Sequence, residues 1–226
     1  MVMAAKQTDG HHPMTARYLD QEKVRKALDS AQSFGASYAE VRVVALTEST
    51  VAMRDGALEK AIPGQELGMT LRVLADGAWG VHSTTDLASL NDQIESTTRL
   101  AKAVAQRRSP SERPKALAEV PVIEDETHWR SKLDVRHTEL DEKIRLMNEM
   151  HSGATGHDDI VSVRTGWSDE HIHTELMTTE GMDRVWSFQR SLIHGMVTAR
   201  RDGEVVSYRT RHCLLYTSPS PRDSRV

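Results

Sequence analysis

The densest group of side chains that could carry out chemistry lies between positions 169 and 175. It contains Asp169, Glu170, His171, His173 and Glu175. Alternate side chains of a strand share one face, so both histidines and Glu175 could form a row of three metal ligands. Imidazole and carboxylate groups are common zinc ligands. A polar strand side that faces solvent explains the same residues, and we favour that interpretation.

Other signatures of hydrolytic chemistry are missing from the sequence. It contains neither His-Glu-x-x-His nor His-Glu-x-x-x-His, the spacings that place two zinc ligands and a general base together. No serine lies in a Gly-x-Ser-x-Gly turn, and no glycine-rich loop carries the lysine of a phosphate site. The other histidines share no spacing, and His11 and His12 fit a solvated leader. We therefore assign no catalytic, cofactor-binding or metal residue.

The tryptophans are candidates for lining a peptide groove. They are Trp79, Trp129, Trp167 and Trp186. Isolated tryptophans more often anchor a core or an interface, and we favour that role here. Gly77 and Gly80 are better explained by a tight turn and a closely packed strand than by ligand binding.

Composition excludes several classes of partner. Hydrophobic residues make up 38% and charged residues 27% of 226, which is enough apolar material for a packed core. A net charge of -4 does not favour nucleic acid, because phosphate binding needs a basic surface. We find no apolar run of membrane-spanning length and no apolar signal segment, so we expect a cytoplasmic protein without membrane contact. A single cysteine allows no internal disulfide.

The first predicted unit is an α+β domain over residues 20–106, after a flexible leader over 1–19. Asp20 and Gly35 suit the two ends of a first helix. Two Asp-Gly pairs, at 55–56 and 76–77, predict hairpin turns that join four strands. Asp86 is expected to cap a second helix over 87–106. Both helices should pack on one face of an antiparallel sheet.

The second predicted unit follows a proline-rich linker over 107–127. It is an incomplete central α+β domain over 128–212, and it begins with a helix lined by Ile144, Met147 and Met150. At least four extended runs follow, and Asp202-Gly203 predicts another hairpin turn. The fold class is therefore α+β: an antiparallel sheet with flanking helices, then a second strand-rich α+β unit that is truncated.

The last residues differ in character from the strands before them. The run CLLYTSPSPRD, residues 213–223, resembles one translated reading frame of a transposase adapter used in preparing sequencing libraries. We therefore expect residues 213–226 to be a non-native tail and the natural sequence to be cut after His212. Such a cut would leave an unpaired sheet edge.

Several short motifs occur in an order that is informative as a set. The segments are Gly35 to Arg42, Leu67 to Leu74, Asp76 to Gly80, Thr85 to Leu87, Trp129-Arg130-Ser131, Leu140 to Lys143 and Thr179-Glu180-Gly181. Together they resemble the N-terminal domain and part of the central domain of the TldD/PmbA family. The Asp-Gly-Ala-Trp-Gly and Trp-Arg-Ser segments are more similar to TldD-type than to PmbA-type subunits.

The resemblance implies a two-part subunit with an α+β N-terminal region and a β-rich C-terminal region. TldD-type subunits resemble zinc metallopeptidases that act on peptides, with a His-Glu-x-x-x-His motif further along the chain. We therefore expect zinc in the full-length protein, none bound by this fragment, and no peptidase activity from the fragment alone. The resemblance also implies a homo- or hetero-oligomer with a TldD/PmbA-type subunit. The alternatives are a non-catalytic PmbA-type partner subunit and a gyrase-modulating binding protein.

Overall fold

The computed structural model describes residues 17–109, 111, 117–128 and 134–213, with no side-chain description for the last two. The elements in chain order are α1 (Gln21–Ser33), β1 (Ala36–Arg54), β2 (Ala57–Ala75), β3 (Ala78–Thr84), α2 (Leu90–Arg107), β4 (Glu124–His128), a 3-10 turn (Val135–His137), α3 (Leu140–Ala154), β5 (Ile160–Thr178), β6 (Asp183–Arg201) and β7 (Glu204–Cys213). No helix in the described part of the chain is long and apolar enough to cross a membrane.

The strands of this described part form one seven-stranded sheet, in which six follow the order β3-β2-β1-β5-β6-β4 and β7 also pairs with β6. Neighbouring strands are antiparallel, except that β4 runs parallel to β6. The strand β7 pairs with the later part of β6, beyond the stretch that pairs with β4. The predicted α+β class, with an antiparallel sheet and flanking helices, is confirmed. The division into domains stays a prediction, although β4 begins inside the stretch expected to be a linker and ends one residue beyond it.

The number of strands was predicted wrongly, because several strands are longer than the sequence suggested. The first unit has three strands and not four, since β2 runs unbroken for 19 residues along the whole of β1. Pro63 does not interrupt β2, because β3 pairs only with Met69–Ala75 and β2 is a sheet edge at Pro63. Edge strands tolerate a proline because one side of the strand needs no ladder hydrogen bond. In the second unit β5 likewise unites two predicted runs.

The Asp-Gly hairpin turns are confirmed. Asp55, Asp76 and Asp202 have φ values of 49°, 51° and 51°, and the glycine that follows each is also at positive φ. Two consecutive positive φ values are the requirement of a tight hairpin turn that matches the twist of the flanking strands. The local sequence therefore determines all three of these reversals.

The predicted ends of α1 are confirmed, whereas the predicted start of the second helix is wrong. Asp20 accepts a hydrogen bond from the Lys23 amide at 2.8 Å, and Gly35 ends α1 at a φ of 91°. Asp86 does not cap α2 directly. Its carboxylate accepts from the Ala88 amide at 2.8 Å, which makes a turn that delays the helix until Leu90.

The three α-helices of the described residues pack on one face of the sheet, which we call the covered face. At one end, α1 and α2 bury an apolar cluster against β1 and β2. At the other end, Met147 of α3 packs on Val51, Met53 and Trp167. Beyond the register shift between Ala36 and Tyr38, odd-numbered residues of β1 contribute to both clusters, so the even-numbered residues there point to the opposite face. The expectation that the first two helices share a face is confirmed.

Candidate functional site

Polar side chains occupy the covered face between the two apolar clusters. Asp169, His171, His173 and Glu175 point there from β5, whereas Glu170 points to the opposite face and pairs with Arg190. The expectation that this row faces solvent is wrong. Asp169, His173 and Glu175 are only 6%, 7% and 5% exposed, because α3, the 3-10 turn and the residues before α1 lie over them.

A buried ion pair joins α3 to the sheet. The Lys143 ammonium lies 2.7 Å from Asp169 Oδ2 and donates to Ser49 Oγ at 2.7 Å. Ser49 in turn donates to Asp169 Oδ1 at 2.9 Å. These contacts join α3 to β1 and β5, so the three groups act as a polar anchor for α3.

Lys143 ends one of the ordered motifs, but the sequence assigned it no role in a site, whereas Asp169 was a candidate. Lys143 lies in a helix rich in charged residues, and its neighbours in sequence are mostly exposed. The one sequence feature that indicates burial of Lys143 is its position four residues before Met147, on the helix face that Met147 buries.

The backbone before α1 is held to the same row through Glu175. The Tyr18 amide donates to Glu175 Oε1 at 2.7 Å, and His173 Nε2 lies 3.1 Å from the same oxygen. The Tyr18 ring meets the His173 ring edge-on at a centroid distance of 5.6 Å. Burial, followed by the Glu175 charge, raises the pKa of the Tyr18 hydroxyl. Arg17 adds an ion pair to Asp183 at 2.6 Å.

The strand β4 is held by His128. Its Nδ1 lies 2.7 Å from Ser187 Oγ on β6, and its Nε2 lies 2.6 Å from Glu126. The His128 ring stacks on His173 with centroids 6.4 Å apart. Three parts of the chain, namely β4, β5 and the segment before α1, therefore meet at His173.

His171 is the titratable group in this row with the clearest electrostatic perturbation. Burial, followed by the nearby Arg136 charge, lowers its pKa to about 4, so the imidazole is neutral at physiological pH. Arg136 itself is held by Asp134 at 2.6 Å. Hydrogen bonds from Arg136 are the main reason that the pKa of Asp134 falls to about 2.

These side chains do not fit a bound metal ion. Within the described residues there is no group of three or more His, Cys, Asp or Glu side chains placed to hold one. The Nε2 atoms of His128 and His173 already face carboxylates, which leaves neither atom open as a ligand. The arrangement is therefore a network that positions β4, α3 and the segment before α1.

The tryptophans do not combine into a groove among the described residues. Trp167 is buried beneath α3 at 4% exposure, on the covered face. Trp79 and Trp186 lie on the opposite face, on β3 and β6, and three strands, β2, β1 and β5, separate them. Trp129, Arg130, Ser131, His11 and His12 lie outside the described residues. Cys213 ends β7, where its backbone pairs with Leu192.

The face of the sheet opposite the helices is called the uncovered face. Residues from separate sequence motifs meet there around Glu40, which is 4% exposed. The Tyr38 hydroxyl donates to Glu40 at 2.7 Å and Arg72 donates at 3.3 Å. The Arg72 guanidinium lies over the Trp79 ring at 4.6 Å. Burial and the Glu40 hydrogen bond raise the pKa of Tyr38. Tyr38, Arg72 and Trp79 belong to three of the ordered motifs, so these motifs specify one structural cluster that ties β1, β2 and β3 together.

Family models that match this chain identify the protein family to which it belongs. Residues 39–106 match the PmbA/TldA metallopeptidase domain 1, and residues 133–216 match the PmbA/TldA metallopeptidase central domain. The chain belongs to the TldD/PmbA family. The order of the two matches is the order expected from the motifs, and the Glu40 cluster lies within the first family domain apart from Tyr38, one residue before it.

Relatives and solved structures agree with this family. A metalloprotease of Methanocaldococcus jannaschii is 23% identical over 188 residues, covering 83% of this chain and 40% of the relative. A Methanothermobacter thermautotrophicus metalloprotease is 26% identical over 144 residues, covering 64% of this chain and 30% of the relative. This chain therefore spans less than half of the length of either relative.

Two solved structures show the same fold. One is a candidate modulator of DNA gyrase from Bacteroides thetaiotaomicron, with a TM-score of 0.70 and 19% identity, covering 89% of this chain and 46% of that one. The other is TldE from Thermococcus kodakarensis, with a TM-score of 0.59 and 14% identity, covering 85% of this chain and 43% of that one. Both are similar to this chain in fold.

Proposed function

We propose that this chain is the N-terminal portion of a TldD-like zinc metallopeptidase subunit that acts on peptides. The observation that carries the proposal is the ordered match to the first and central metallopeptidase domains of the family. The described residues would then serve as a scaffold, because their buried polar row forms internal contacts and does not fit a metal.

The catalytic metal is proposed to bind outside this sequence. The sequence has no His-Glu-x-x-x-His, and it spans 40% of the M. jannaschii metalloprotease that it resembles. A bound zinc ion would polarise a peptide carbonyl and activate water in such a subunit. The residues of this chain would contribute the sheet, the Lys143–Asp169 anchor of α3 and the surfaces for subunit pairing.

The first test is to read the gene without interruption past the codon for His212. A frame that continues without CLLYTSPSPRD and reaches His-Glu-x-x-x-His supports the TldD-like subunit. A continuing frame without that motif favours the non-catalytic PmbA-type partner. Genomic codons for CLLYTSPSPRD would contradict the idea of a non-native tail.

The second test compares the 226-residue chain with the longer protein in a peptidase assay, each with and without chelator. We expect chelator-sensitive hydrolysis from the longer protein, alone or with its partner subunit, and none from the 226-residue chain. Chelator-sensitive hydrolysis by the 226-residue chain would overturn the scaffold role.

A further inference from the structure

The uncovered face carries a group of arginines at the α3 end of the sheet. Strand pairing puts Arg164 of β5 and Arg209 of β7 in one row, on either side of Met196. The adjacent row contains His194 of β6 and Arg211 of β7. We call Arg164, His194, Arg209 and Arg211 the arginine patch. It lies beyond the part of β6 that pairs with β4.

The side chains of the arginine patch point away from the helices. Trp167 of β5 and Ile193 of β6 belong to the apolar cluster beneath α3, on the covered face. Because successive side chains of a strand point to opposite faces, Arg164 and His194 lie on the uncovered face. The two β7 arginines share that face with their pairing partners, His194 and Met196. The helices of the described residues therefore leave the arginine patch open to a ligand.

The arginines of the patch lack acidic partners within the part of the chain that the structure describes. Arg164, Arg209 and Arg211 are all exposed, and none of them makes an ion pair there. Glu59, at the same end of the sheet, is already occupied by Arg54 at 2.7 Å. Three positive charges therefore lie together without a counter-ion among the described side chains.

His194 reports the positive field of the arginine patch. Its ring lies flat on the sheet over Gly166, where an added Cβ would overlap the imidazole. Burial, followed by the charges of Arg211 and Arg209, lowers the pKa of His194. The buried Nδ1 atom of this ring has no hydrogen-bond partner among the described residues. The patch therefore presents guanidinium groups around a neutral imidazole.

The spacing of the arginines suits an extended peptide. Arg209 and Arg211 are two residues apart on one strand, so their Cα atoms are separated by about 7 Å. Alternate side chains of an extended peptide have the same separation. Arg164 lies two strand spacings from Arg209, or about 10 Å, which spreads the charge wider than one small anion. A guanidinium group can donate two parallel hydrogen bonds to one carboxylate.

We propose that the arginine patch binds a short acidic segment of another polypeptide. Two carboxylates that alternate along an extended segment would each bind one of Arg209 and Arg211. Arg164 would add attraction from the other side of β6. The proposal concerns binding alone, so it does not depend on the proposed peptidase function.

The surroundings of the arginine patch favour a short segment over a long polyanion. Glu48 is exposed on β1, and Asp202 and Glu204 are exposed at the hairpin between β6 and β7. These carboxylates border the patch along the sheet and would repel phosphates that extend past it. A nucleic acid or an anionic membrane is bound by a broader basic surface than three arginines provide.

The first experiment titrates the 226-residue chain into a fluorescent peptide that alternates glutamate and threonine, and measures anisotropy. The same peptide with glutamine in place of glutamate should bind at least about tenfold more weakly, because it offers no carboxylate to the arginines. Raising the salt concentration should weaken binding of the glutamate peptide, since both partners are exposed charges.

The variant with Arg209→Gln and Arg211→Gln together should raise the dissociation constant of the glutamate peptide at least about tenfold. Arg99→Gln is the matched control, because Arg99 is an exposed arginine on α2, away from the uncovered face. It should leave the dissociation constant unchanged within about twofold. Circular dichroism melting of each variant separates lost binding from lost folding.

Three results would overturn the proposal: equal binding of the glutamate and glutamine peptides, full binding by the double variant, or loss of binding in Arg99→Gln. A thymidine oligonucleotide that binds more tightly than the glutamate peptide, and loses binding in the double variant, would also overturn it. That result would make the patch a nucleic-acid site.

The second experiment reverses the charges and locates the peptide. The variant with Arg209→Glu and Arg211→Glu should prefer a peptide that alternates lysine and threonine over the glutamate peptide. In the wild-type chain, the glutamate peptide should raise the pKa of His194, measured by NMR, because its carboxylates offset the arginine charges. Peptide binding that leaves the His194 titration unchanged would place the site elsewhere, as would a reversed variant that keeps its preference for glutamate.

Discussion

The two ends of the covered face are stabilised differently, although the same long strands run through both. At the α1 and α2 end, the cluster is apolar throughout, with Leu71, Val73 and Ile94 completely buried. At the α3 end, a smaller apolar cluster lies beside the buried Lys143–Asp169 ion pair. Apolar packing loses stability gradually as atoms are removed, whereas a buried ion pair depends on both partners.

The largest effect is expected from breaking the ion pair. Asp169→Ala should lower the free energy of unfolding by about 4 kcal/mol, because Lys143 would keep a buried charge without a partner. Denaturant unfolding measures this loss. The double variant Lys143→Met, Asp169→Leu should recover most of the lost free energy of unfolding. A double variant no more stable than Asp169→Ala would contradict the explanation that an unpaired buried charge causes the loss.

The control for that prediction is the exposed ion pair of Glu95 and Arg99 on α2, which are four residues apart. Glu95→Ala should change the free energy of unfolding by about 0.5 kcal/mol or less, because solvent screens exposed pairs. A similar loss for Glu95→Ala and Asp169→Ala would show that burial is not the deciding factor.

The next effect belongs to the apolar end. Leu71→Ala should cost about 3 kcal/mol, since Leu71 is completely buried and the change leaves a cavity. The denaturant midpoint should fall while the m-value stays constant. A loss below about 1 kcal/mol would mean that α1 and α2 can close the cavity.

A smaller effect should follow from adding a methyl group between β3 and α2. A Cβ on Gly80 would overlap the Thr97 carbonyl oxygen and lie 3.2 Å from Ala101 Cβ. Gly80→Ala should cost about 2 kcal/mol because the helix must move away from the sheet. Gly153→Ala on α3 is the control, as nothing lies within 4 Å of its added Cβ and it should be neutral or stabilising.

The smallest effect is a pH dependence from the polar row. The folded pKa of His171 is about 4, below its ordinary value of 6.5. Between these two values the unfolded chain binds a proton that the folded chain does not, so stability falls as pH drops through that window. His171→Gln should flatten the stability profile between about pH 6.5 and 4. An unchanged slope would show that His171 is not the group responsible.

Local rules predicted the parts of the fold that depend on a few neighbouring residues. Asp20 capped α1 as expected, and each Asp-Gly pair made a hairpin because two positive φ values suit Asp and Gly. Strand lengths were not predictable in this way. The strand β2 continues through Pro63 and Gly64 because β1 offers pairing partners along its full length, and that support comes from residues distant in sequence.

The sequence by itself determined the family and the order of its motifs, because each motif is local and its spacing can be read along the chain. It also determined the hairpin turns and the two ends of α1. Only the tertiary structure decided that the polar face of β5 is buried, that Lys143 meets Asp169, and that Tyr38, Arg72 and Trp79 share one cluster. The physical reason is that burial and charge pairing depend on which distant segments lie against a strand, and alternation along that strand specifies a face but not what covers it.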